Sequence, residues 1–186
     1  MRTRLVPLAL LALMASGLGV ASANAHEFLA SSTGKLSVKV LGTSVVATAA
    51  GNVECSGASL REGEVKTTKA ASLLSTIEFE KCKGFGLAAT VSLVKVRSTA
   101  EGSVSLLETV TVIGGGGTCV AQFPSAKNQN LGTVKFKNTN KGIEKLANIS
   151  HITSTGAGSC AYIEESSGTF VGDALVNLIG GTLDWK

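Results

Sequence analysis

Beyond the first 25 positions, apolar and polar residues alternate with a period of two. In "KLSVKVLG", Leu36, Val38 and Val40 fall on one face, and Lys35, Ser37 and Lys39 on the other. "STIEFEK" sets Ile77 and Phe79 against Glu78 and Glu80, and "TVKFKN" sets Val134 and Phe136 against Lys135 and Lys137. Successive side chains of a strand point to opposite sides, so this pattern marks strands with one face buried and one wet. Further strands are predicted at 44–49, 52–55, 64–68, 87–97, 103–113, 119–123, 149–154, 168–178 and 182–185, most of them separated by glycine. The segment 142–148, "GIEKLAN", has the composition of a helical turn but is read as strand or loop. The expected fold is all-β, an antiparallel β-sandwich or barrel of roughly ten short strands.

Composition adds one qualification. The chain has 22 glycines but only six Phe, one Trp and one Tyr. Small side chains give a thin core, which raises the value of any cross-link.

The N-terminus reads differently. Arg2 and Arg4 precede the apolar run "LVPLALLALMASGLGV", and Ala23-Asn24-Ala25 follows as a small-x-small site. That order predicts a signal peptide over 1–25, cleaved after Ala25, and an exported single domain over 26–186. The run is shorter than the roughly 20 residues that span a bilayer, and no later segment is a transmembrane candidate. Loss of Arg2 and Arg4 takes the formal charge from +4 to +2. Lysines 35, 39, 66, 69, 81, 83, 135, 137, 141 and 145 are dispersed and read as solvated strand faces, so no nucleic-acid partner is expected.

Cys55, Cys82, Cys119 and Cys160 form an even set in a chain expected to reach an oxidising compartment, which predicts two disulfides. Metal binding fits poorly, because no two cysteines lie within four residues and neither histidine is near one. Three connectivities are open; Cys55–Cys82 and Cys119–Cys160 are favoured because each joins elements close in the chain. Strict alternation from Ile77 would place Cys82 on the wet face with Glu78 and Glu80, whereas Cys55 follows Val53 on the buried one. That pairing therefore predicts a bulge or turn near Lys81–Gly86.

Candidate chemistry is sparse. The run Gly114–Gly117 lacks the lysine of a phosphate-binding loop and precedes a strand, so it reads as a hairpin loop. His151 would need a serine and an acid, such as Asp173 or Asp184, to serve a hydrolase, and no nucleophile-elbow motif accompanies it. His26, the first residue after the expected cleavage, is expected to be disordered. The pairs Glu62/Glu64, Glu78/Glu80 and Glu164/Glu165 read as solvated carboxylates, since a glycosidase cleft would also want several aromatics. Trp185 is expected to pack the last strand into the core.

The segments "GNVECSGASL", "EFEKCKGFGLAATVS", "GGTCVAQFP", "QNLGTVKFKN", "ITSTGAGSCA" and "GGTLDWK" occur in this order between Gly51 and Lys186. In that order they resemble a group of uncharacterised exported, disulfide-containing, β-rich proteins of actinobacteria. The resemblance implies export and a stapled β-fold, and it implies no activity. The expected function is a secreted or envelope-associated, non-enzymatic binding or structural module. Its partner would be a surface polymer, a protein or a small apolar ligand, and neither a cofactor nor a metal is expected. The alternative is a secreted hydrolase using His151 or a glutamate pair.

Overall fold

The computed structural model describes residues 25–48, 51–84, 86–123, 129–161 and 164–186, without the side chains of 129–130 and 164–167. The expected signal peptide, Ala25 apart, lies outside the described residues.

The chain enters at β1 (Phe28–Ala30) and then forms eight antiparallel staves, four continuous and four built from two shorter strands in line. The first is β2 (Gly34–Val40) followed by β3 (Ser44–Thr48), and the second is β4 (Gly51–Val65). After the two-residue β5 (Lys69–Ala70), the third stave is β6 (Ser72–Gly84). The fourth joins β7 (Leu87–Val91) to β8 (Val94–Thr99), and the fifth joins β9 (Ser103–Leu106) to β10 (Val110–Gly114). The sixth joins β11 (Cys119–Phe123) to β12 (Gln129–Thr139). The seventh and eighth are β13 (Gly142–Gly158) and β14 (Glu164–Leu178), and β15 (Leu183–Trp185) ends the chain.

Each stave pairs with its neighbour in sequence, and the last pairs with the first: Val40 faces Ala174, and Val46 faces Phe170. The result is a closed up-and-down barrel, which leaves no edge strand in the ring. Several strands are longer than the alternation suggested. Segments 52–55 and 64–68 were expected as two strands, but the first and the start of the second, Glu64–Val65, lie in one strand, β4, and 66–68 are not strand; 149–154 lies within β13. Segment 142–148 is strand throughout.

Two ends can be told apart. At one, β1 pairs with both β15 and β5 to make a small sheet that plugs the barrel. Phe28 and Leu183 in this plug are fully buried. Trp185 donates its Nε1–H to the Ala100 carbonyl at 2.8 Å, and its backbone is held on both sides by the Asn138 amide. His26 is ordered, contrary to expectation: its ring stacks on Trp185 at 4.6 Å, and its backbone N–H donates to Glu101. The opposite end carries the hairpin at Gly115–Gly117 and the bridge Cys119–Cys160, with Cys55–Cys82 nearby across β4 and β6.

Cys55 lies directly opposite Cys82, and both are buried. The predicted break occurs at Lys81, whose φ is 53°. It does not shift the register, because β4 breaks at the same level. Phe79 opposite Ala58 and Cys82 opposite Cys55 both face inward although three residues separate them along each strand. A second switch of face occurs at His151, φ 63°, between the buried Ile149 and Ile152, where β13 slips against β14.

Candidate functional site

An eight-stranded barrel is just wide enough for side chains to fill its interior or to hold one small ligand. Here valine is the commonest inward residue, and Ala147, Gly172 and Ala174 lie close together on β13 and β14. Between these side chains lies a partly open cavity of about 170 Å³ whose wall is overwhelmingly apolar.

The interior is divided into two apolar clusters. The larger lies toward the disulfide end and includes Val96, Ala147 and Ile149; the smaller packs on the plug and includes Leu73, Ala100, Ile143 and Val176. Between them runs a polar layer. Ser98 sits between Val96 and Ala100 on β8, Ser75 between Leu73 and Ile77 on β6, and Lys145 between Ile143 and Ala147 on β13. All three line the cavity.

Lys145 was expected on a wet face, and the structure corrects this. Its parity matches Ile143, Ala147 and Ile149, so its side chain enters the barrel opposite Phe136 on β12 and Ala174 on β14. Lys145 Nζ donates to Ser98 Oγ at 2.8 Å. Among the described residues no carboxylate pairs with it. Desolvation of the ammonium lowers its pKa from 10.5 to about 8. The lysine was missed because a charged residue in "GIEKLAN" was assigned by type to solvent. The signal was its phase, since apolar residues occupy 143, 147 and 149.

The other candidates are dispersed. His151 is exposed in its bulge, and its side chain makes no hydrogen bond among the described residues. Asp173 lies opposite Leu146 on β14, and Asp184 lies in the plug opposite Leu29; neither joins His151 in a catalytic arrangement. Glu78 pairs with Arg61 on the outer wall, and Glu80 beside it is exposed. Glu64 pairs with Lys66 at 3.0 Å, and Glu62 accepts from Thr76 Oγ1 at 3.3 Å. The side chains of Glu164 and Glu165 lie outside the described residues. Gly115–Gly117 forms a single 3₁₀ turn closing the β10–β11 hairpin, as the sequence predicts.

No helix among the described residues is long and apolar enough to cross a membrane. The barrel wall presents Lys39, Glu54, Lys83, Arg97, Lys135 and Lys137 outward. A membrane barrel has the reverse polarity, an apolar belt outside and a polar lumen. No protein-family model, no curated protein and no solved structure matches this chain.

Proposed function

We propose that the protein is an exported binding protein that carries a small, largely apolar ligand inside its barrel. The observation that carries this reading is the cavity of about 170 Å³ walled by valine, alanine and phenylalanine side chains. Apolar cavities of about 150 Å³ admit benzene, and ligand sites are characteristically apolar hollows with a few placed polar groups. Export is supported by the N-terminal sequence pattern and by two disulfides with no free cysteine. The resemblance to exported actinobacterial β-proteins agrees with this. The charged outer wall favours an aqueous surrounding for the barrel. The dispersal of His151, Asp173 and the glutamates favours binding over hydrolysis.

The test is thermal unfolding with toluene, hexanol and benzoate as probes. A ligand that binds only the folded state raises the melting temperature, by an amount set by its concentration relative to its Kd. At least one probe is expected to raise the melting temperature of the wild type and to have little effect on Ala147→Leu, which fills the cavity. If none of the three shifts the wild type, the cavity is not a ligand site.

A further inference from the structure

The polar layer tells more about the ligand than the cavity walls do. Lys145 is the cationic side chain in the cavity lining, and it stands between two apolar clusters. Hydrogen-bond capacity there is unbalanced. An ammonium has three donors, of which one is used on Ser98 Oγ at 2.8 Å. Ser98 accepts that bond and is itself buried, and among the described residues nothing accepts its hydroxyl proton. Two ammonium N–H groups and one hydroxyl at the cavity lining are therefore left without an acceptor among the described residues.

Such a set of donors calls for an acceptor that carries negative charge and more than one oxygen. The walls above it call for an apolar body. We infer that the barrel takes a small apolar monocarboxylate, with the carboxylate on Lys145 and Ser98 and the hydrocarbon against Val96, Ala147 and Ile149. This rests on the reading of the cavity as a ligand site and adds the class of ligand. The cavity volume of about 170 Å³ suits an acid of the size of benzoate or hexanoate. Among the described side chains only Ser98 accepts from the half-buried ammonium, so a carboxylate is favoured over a neutral ligand of equal size.

The surrounding charges leave this assignment to Lys145. From β12 it is faced by Phe136, from β14 by Ala174, from β8 by Ser98 and from β6 by Ser75. Asp173 is exposed, borders the cavity from β14 and makes no ion pair with Lys145. Lys39, Arg97, Lys135 and Lys137 on the adjoining strands are exposed on the outer wall. With the ammonium titrating at about 8, it is charged at pH 7 and neutral at pH 10. An anion bound to it raises that value, so carboxylate affinity falls as pH rises above 8.

The experiment compares benzoate with toluene on the wild type and on Lys145→Met, by calorimetry or ligand-observed NMR. Removing a charge-assisted hydrogen bond is expected to weaken benzoate by about 10- to 100-fold relative to toluene. In the wild type, benzoate affinity is expected to fall at least tenfold between pH 7 and 10 while toluene affinity does not. Circular dichroism establishes that the variant is folded; Lys145→Gln is a second substitution, and the wild-type pH series needs no variant. If toluene binds but benzoate binds no better to the wild type than to Lys145→Met, the carboxylate assignment is wrong and the apolar site stands. If the wild type binds none of toluene, hexanol and benzoate, the cavity reading fails as well.

Discussion

At the scale of the residue, Lys145 departs furthest from its local pattern. Its folded pKa of about 8 lies below the ordinary 10.5, so the folded state binds fewer protons than the unfolded one between these values. Stability must then rise with pH across that window, and the charged form is the less stable below it. The difference is about 3 kcal/mol at most, from a shift of this size. Denaturation in urea at pH 7.5 and 10.5 should show the gain in the wild type, and Lys145→Met should lack it. Equal slopes in both proteins would mean that the ammonium is solvated. Much at this scale was legible beforehand. The pairing of Cys55 with Cys82, favoured among three connectivities for its proximity in the chain, is the one formed, and the outward Glu78 and inward Phe79 follow from alternation. Lys145 was illegible only where residue type was allowed to override phase.

At the scale of the element, strand faces were legible where apolar and charged residues alternate, as in β2, β6 and β12. Strand lengths were not. The stretch "SGASLREGE" in β4 has no alternation to read, yet it continues the strand because β6 lies alongside it from Val53 to Gly63. Neighbouring backbone supplies the hydrogen bonds there, and that information is not local. The switches of face are a further non-local feature. Two opposite strands change sides together at Lys81 and its partner level, so the ladder keeps its register while Cys82 turns inward. Lys81 holds a left-handed conformation, which costs a residue with a Cβ about 1 kcal/mol. Lys81→Gly is therefore expected to be neutral or stabilising by up to about 1 kcal/mol, and Lys81→Val destabilising by about 1–2 kcal/mol. Urea midpoints of the two variants check this. A valine tolerated as well as the glycine would rule out the left-handed conformation.

At the scale of the whole molecule, the sequence left sandwich and barrel open for a physical reason. Both bury one face of each strand, so both produce the same alternation. What decides between them is whether β14 meets β2 and β3, a contact between residues more than 100 positions apart. The cysteines reinforce the ring at one end, with bridges closing separations of 27 and 41 residues. On chain entropy such bridges contribute about 3.5 and 4 kcal/mol, a large share of the 5–15 kcal/mol typical of a domain. Replacing Cys119 and Cys160 together by alanine should lower unfolding free energy by about 2–4 kcal/mol. It should also speed amide exchange around Gly114–Cys119 and less so in the plug. A loss below about 1 kcal/mol would show that the ring holds that end without a covalent tie.

The plug also brings the two ends of the described chain side by side. Glu27 and Lys186 exchange backbone hydrogen bonds at 2.7 and 3.0 Å. A barrel of neighbour-paired staves whose ends already touch has no intrinsic first stave. Joining those ends and opening the hairpin at Gly115–Gly117 would leave every stave in place while moving the seam. The pairing of β14 with β2 and β3 would become local, and that of β10 with β11 would become the distant closure. Chain order here therefore decides which seam must close late and over a long loop, whereas the closed ring itself is indifferent to it.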